Sequence, residues 1–279
     1  MIQSPSLQWL ILTIALFYCC STVGASAQTP QQRAAALEGH IELSLPSHPG
    51  VHPLAILLPG CLSWHPHHER WRDTLLSRSY AVLHIDSFAA RGLVGRATLE
   101  RRVCSGAELH GDERSGDLMA VLETLRERPD LDLRQAVIFG WSHGGWTALD
   151  FLSRVTANLR PANLTSLPDL SGIAFPAAFI FYPYCGPASL DGRDGFPTQT
   201  RTLLFHGTRD VITSPRRCRA RAKALSQAGA LIEYISMQGS HHWFDNHAET
   251  ATYDARATAS ADAAIAAVLE TLESERSTP

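Results

Sequence analysis

Apolar residues fall into short runs separated by longer stretches of helical period. Leu54-Ala55-Ile56-Leu57-Leu58 is continuous and apolar, which predicts a strand buried on both faces. Tyr80 to Ile85, Ala136 to Phe139, Ala177 to Tyr182, Thr202 to Phe205 and Leu231 to Ile235 predict further strands, and the alternation from His40 to Leu45 predicts one at an edge. Helical patterns lie between them at Pro66 to Arg78, Asp112 to Arg128, Trp146 to Val155 and Thr258 to Leu272. Leu118, Val121, Leu122 and Leu125 stand at i, i+3, i+4 and i+7, the spacing of one buried helix face, and Pro129 stops that helix. Ser214-Pro215 opens another helix, with serine as the cap and proline at the first position, and it runs to about Gly229.

Strands alternating with helices predict an α/β fold: a mainly parallel central sheet with helices on both faces. In such a sheet ligands bind at the carboxyl ends of the strands. Residues 28–36, polar and alanine-rich, read as a mobile leader. The stretches 87–111, 156–176 and 184–199 are long connections, expected to shape a pocket.

The chain of 279 residues, 45% hydrophobic, suits one domain, placed at 28–279. A net charge of −3 gives no basic footprint, so nucleic acid is not an expected partner. The first 27 residues carry no charge, although the n-region lacks the usual Lys or Arg. Leu10 to Cys20 is an apolar run of signal-peptide length, too short to span a bilayer, and Ala25-Ser26-Ala27 offers a cleavage site. Residues 1–27 therefore read as a signal peptide cut after Ala27. The expected product is periplasmic or secreted, without stable membrane association. Cys61, Cys104, Cys185 and Cys218 remain, an even number that predicts two disulfides. Three pairings are possible. Cys61–Cys104 with Cys185–Cys218 is favoured, though the sequence does not select it.

Chemistry concentrates at Gly140-Trp141-Ser142-His143-Gly144-Gly145, between an apolar strand and a helix. That is the setting of a nucleophile elbow, where a serine sits on a strained turn between glycines. Serine needs a base, and the base a carboxylate, in the chain order serine, acid, histidine. Asp210 follows a strand end at His206-Gly207, with Asp191 and Asp194 as alternatives in a less defined loop. The base lies in Ser240-His241-His242-Trp243-Phe244-Asp245, where either histidine is possible. An oxyanion hole needs two converging backbone N–H groups. His143 would supply one and Cys61 the other, with Leu62 as the alternative.

These pieces resemble the α/β-hydrolase superfamily, and within it the dienelactone hydrolase family. The resemblance rests on Leu58-Pro59-Gly60-Cys61, Asp86-Ser87-Phe88 with Arg91-Gly92, the Ser142 elbow, His206-Gly207 with Asp210 and Pro215, and His242-Trp243-Phe244-Asp245. It implies an α/β-hydrolase fold with a minimal cap and selects His242 as the base, because family members carry His-x-Phe-Asp there. It also implies a small-molecule ester or lactone substrate and no nucleotide or metal cofactor. Arg91 would contact substrate or hold its loop. The namesake enzyme has cysteine at the elbow and is cytosolic, so Ser142 and the export signal point to an esterase-type relative. Competing readings are a prolyl-oligopeptidase-like peptidase, which would lack its propeller, a non-catalytic binding protein, and a metallohydrolase. The last would use His65-Pro66-His67-His68-Glu69 with His241, His242 and His247, but their spacing fits no H-E-x-x-H pattern. The simpler reading of the first cluster is a polar loop and helix start at the rim of the site.

Overall fold

The computed structural model describes residues 27–276 except 191, 193 and 194. The leader expected over 1–27 (Ala27 apart) and the alternative acids Asp191 and Asp194 lie outside the described residues. The apolar runs form β1 (Ile41–Ser44), β2 (His52–Leu58), β3 (Ala81–Ile85), β4 (Leu131–Trp141), β5 (Ala177–Phe181), β6 (Arg201–Gly207) and β7 (Ile232–Met237). They make one sheet in the order β1-β3-β2-β4-β5-β6-β7. Only β1 runs antiparallel to its neighbour; the other pairings are parallel.

Side chains along each central strand alternate between two cores. Leu54, Ile56, Ile138, Ala178 and Ile180 face one side, packing on α1 (Pro30–Leu37), α4 (Gly111–Leu125), α5 (His143–Ala157) and α6 (Pro215–Gln227). Ala55, Leu57, Val137, Phe139, Phe179 and Phe181 face the other, packing on α2 (Pro66–Ser77) and α7 (Ala255–Arg276). Burial on both faces is why these strands read as unbroken apolar runs rather than alternating ones. From β2 the chain builds outward in one direction to β3, then returns to place β4 on the other side. The reversal leaves a crevice beyond the ends of β2 and β4, the place where such sheets bind ligands.

One segment departs from the expectation, and one long connection proves partly structured. Residues 28–36 are not a mobile leader: Thr29 caps α1, Pro30 occupies its first position, and Gln32 bonds back to the Thr29 N–H. Leu37 is fully buried, and Arg33 Nε donates to Asp117 of α4 at 2.6 Å. The 87–111 connection is about half helical. It contains a 3-10 turn at Ala89–Arg91, a single turn α3 (Arg96–Leu99) and a π-type turn at Glu100–Cys104, folded over a small core of Phe88, Leu93, Leu99, Val103 and Leu109.

Disulfides join Cys61 to Cys104 and Cys185 to Cys218. The first ties the β2 exit to the 96–104 segment, and the second ties the 184–199 loop to α6. Among the described residues no helix is long and apolar enough to cross a membrane.

Candidate active site

Ser142 stands between the end of β4 and the start of α5, with φ 51° and ψ −111°. Such a conformation is costly for a side-chain-bearing residue and persists only where the surroundings enforce it. The strain thus falls on the serine itself. The glycines serve close approach instead. A Cβ on Gly140 would meet Gly144 O at 2.7 Å, and one on Gly144 would strike the carbonyls of Leu58 and Pro59. The start of α5 therefore presses backbone to backbone against the β2 exit.

The structure brings Ser142, His242 and Asp210 together from three strand ends. Ser142 Oγ lies 3.0 Å from His242 Nε2, and His242 Nδ1 lies 2.7 Å from Asp210 Oδ2. Burial alone would raise the Asp210 carboxyl. Hydrogen bonds from His206, His242 and the Thr213 N–H outweigh it and hold the group well below the usual carboxylate range. An ionised carboxylate only accepts, so His242 Nδ1 donates to it and Nε2 presents its lone pair to the serine hydroxyl.

Several neighbours were not singled out from the sequence. Asp210 Oδ1 accepts from the N–H groups of Ile212 and Thr213, and Oδ2 lies 2.9 Å from Thr213 Oγ1 and 3.1 Å from His206 Nε2. Asp210 therefore shapes its own turn as well as facing His242, while Ser214 caps α6 separately. Asp245 accepts from Trp141 Nε1 at 2.8 Å and from the Tyr182 hydroxyl at 2.6 Å, and the Tyr182 ring packs 4.4 Å from that of His242. The histidine loop is thus anchored to β4 and to the residue just past β5. The Phe244-Asp245 half of the histidine motif carried this signal, but only as a family resemblance.

Cys61 and Leu62 line the cavity beside Ser142, and His143 opens α5. A buried cation sits behind them. Arg114 Nη1 donates to Pro59 O at 3.0 Å and to His143 Nδ1 at 3.1 Å. His143 Nε2 donates to Leu109 O at 2.8 Å. Burial and the Arg114 charge lower the His143 pKa to about 3, so the ring stays neutral. Arg91 does not reach the cavity. Its guanidinium bonds both oxygens of Asp117, at 2.7 and 3.0 Å, and Ser87 O at 2.9 Å, so this arginine holds its loop.

His241 lines the cavity. The His65–Glu69 stretch begins α2, but it is not a polar loop: His67 and His68 are each 1% exposed. Their rings lie 3.8 Å apart, and His68 meets Trp141 edge-on at 4.7 Å. Burial lowers the His67 pKa to about 4 and pushes His68 well below its ordinary value. His68 Nδ1 accepts from the His65 N–H at 2.8 Å. Among the described residues, no three His, Cys, Asp or Glu side chains are arranged to hold a metal ion.

No family profile and no curated protein sequence matches the chain. Solved structures do. A dienelactone hydrolase-like promiscuous phosphotriesterase from metagenomic libraries aligns with a TM-score of 0.62 at 16% identity, over 84% of this chain and 99% of its own. A Klebsiella pneumoniae protein assigned to the dienelactone hydrolases aligns at 0.60 and 14%, over 81% and 97%. The fold is the α/β-hydrolase fold of the dienelactone hydrolases. An esterase of Thermogutta terrifontis shares it, with a TM-score of 0.56 at 17% identity over 83% of this chain and 89% of its own, and has also been solved phosphorylated by paraoxon. In this chain Ser142 follows β4, Asp210 follows β6 and His242 follows β7.

Proposed function

We propose that the protein is a serine hydrolase of carboxylic esters, lactones included, working through an acyl-enzyme. The observation that carries this reading is the 3.0 Å approach of Ser142 Oγ to His242 Nε2, with Asp210 2.7 Å behind Nδ1. His242 accepts the hydroxyl proton as Oγ bonds to the ester carbonyl carbon, and the carbonyl π pair moves onto oxygen. The N–H groups of Cys61 and His143 stabilise that oxyanion. Its collapse breaks the ester C–O bond, and His242 returns the proton to the leaving alkoxide. Water then gives a proton to His242 and attacks the acyl carbon, and Ser142 leaves with the proton restored. Asp210 stays ionised and stabilises the imidazolium.

Esterases among the structural neighbours support the reading, and paraoxon phosphorylation of one of them suggests the probe. Paraoxon should add one diethylphosphoryl group to the wild type and none to Ser142→Ala. The same variant should lose about 10⁴-fold or more in turnover of p-nitrophenyl esters. A Ser142→Ala protein that keeps most of its activity overturns the assignment.

The disulfides at Cys61–Cys104 and Cys185–Cys218 support an exported protein, since such bonds persist in oxidising compartments. The mature chain is then a single domain beginning at Gln28. N-terminal sequencing of protein recovered from outside the cytoplasm tests this; an intact Met1 overturns it.

A further inference from the structure

We propose that the group filling the cavity beside Ser142 is an uncharged alkyl or aryl moiety, so that the site takes neutral esters and discriminates against carboxylate-bearing ones. This rests on the serine hydrolase reading and names its substrate class.

The cavity measures about 420 Å³ and opens at Ser142 and His242, within the range of small-molecule sites. Its wall is built from Leu62, the Cys61–Cys104 disulfide, Trp141, Trp243, Val211 and Ile212. Val211 and Ile212 are 88% and 70% exposed. Single exposed aliphatics need no explanation, but this adjacent pair continues the apolar wall outward at the mouth. Their backbone is fixed, because Ile212 N–H donates to Asp210 at 2.8 Å. The rim is therefore presented in a set position by the same carboxylate that faces His242.

Three arginines at or behind the cavity wall each have a partner. Among the described residues Arg96 is the one arginine on its wall, and its Nε donates to Glu100, also on the wall, at 2.8 Å. Arg91 is bound to Asp117, and Arg114 is buried against Pro59 and His143. His65, His67 and His68 present rings rather than charge, since burial holds each of them towards the neutral form. The His65 ring lies 6.0 Å from that of Trp243 and widens the aromatic part of the wall. A carboxylate entering here would shed water and, among the described residues, meet one wall arginine that Glu100 already neutralises, which leaves a large penalty. An alkyl or aryl group would gain from leaving water.

The experiment compares p-nitrophenyl hexanoate with mono-p-nitrophenyl adipate, in which a carboxylate stands where the other chain ends in a methyl. With the wild-type protein, kcat/KM for the hexanoate should exceed that for the adipate by about 100-fold. Ile212→Arg should narrow the gap by about 10-fold by placing a cation at the mouth. Equal or better turnover of the adipate by the wild type overturns the proposal. So does a protein labelled by paraoxon at Ser142 that turns over neither ester. Absence of both labelling and turnover instead overturns the serine hydrolase reading beneath it.

Discussion

Arg114 Nη1 lies 3.1 Å from His143 Nδ1 and 3.0 Å from Pro59 O, so one buried guanidinium ties together the two backbone segments assigned to the oxyanion hole. Its plane also rests over the Phe88 ring, 4.6 Å from the centroid. The two N–H bonds of Nη1 lie in the rigid guanidinium plane, one for each acceptor, whereas a lysine ammonium is a rotating, strongly hydrated point charge on a shorter reach. Arg114 is a positioning residue: it touches neither nucleophile nor base. Arg114→Lys should lower kcat by about 10- to 100-fold, less than the full loss of an oxyanion donor, with KM changed by no more than about threefold. Steady-state kinetics on a p-nitrophenyl ester checks the split. A rise in KM at constant kcat contradicts it.

Asp245 is expected to matter almost as much, although it lies outside the three catalytic candidates. It accepts from both Trp141 and Tyr182, and so fixes the loop that carries His242. Asp245→Asn keeps the shape but turns one acceptor oxygen into a donor, which then faces an indole N–H or a phenol. Stability should fall by about 1–3 kcal/mol, and kcat by about 10-fold or more as the imidazole loses its seat. Urea titration and kinetics on the same sample measure both.

The Cys61–Cys104 bond lines the cavity and anchors the candidate oxyanion segment to the 96–104 turns. Reduction with dithiothreitol should therefore abolish esterase activity while the far-ultraviolet dichroism of the sheet and long helices persists. Replacing both cysteines with alanine should cost about 2–4 kcal/mol of stability, chiefly through the unfolded chain. Activity and dichroism followed together during reduction give the answer.

Asp210 links stability to acid pH. Its folded pKa lies below its unfolded value, so its contribution is fully present above about pH 4 and is lost as pH falls through the folded value. Within that window the loss approaches about 1.4 kcal/mol per pH unit. The wild type's melting-temperature advantage over Asp210→Asn should thus narrow, without vanishing, as the buffer is taken from pH 6 to pH 3. A constant difference across that range contradicts the assignment.

Strands buried on both faces were legible because every position in Leu54–Leu58 and Ala177–Phe181 is apolar, which helices on one face alone do not require. The elbow was legible for a steric reason: Gly140 and Gly144 stand where neighbouring backbone leaves no room for a Cβ. The strained turn expected at the serine is carried by its own dihedrals, while the glycines serve close approach. The helix at Pro30–Leu37 escaped because eight residues are too few to show a period, and its strongest anchor is a charge pair with Asp117, 84 positions away. The roles of His206, Thr213 and Asp245 escaped for a related reason. Each acts through a partner on a different element or around a tight turn, and spacing along the chain carries no trace of such contacts. His67 and His68 looked solvated because histidine usually is, whereas here they sit beneath Trp141.

Asp117 receives Arg33 from the first helix and Arg91 from the 3-10 turn beyond β3, so the beginning of the folded chain and the segment leading to the cavity wall share one buried carboxylate. Gln28 is already engaged there, pairing with Asn163 and Thr165. Proteolytic trimming that stopped at Gln28 would leave this arrangement whole. A cut ten residues later would remove Arg33 and Leu37 together, uncovering an anion and an apolar seat on α4, and its effect would be felt at Arg91 rather than at the new terminus.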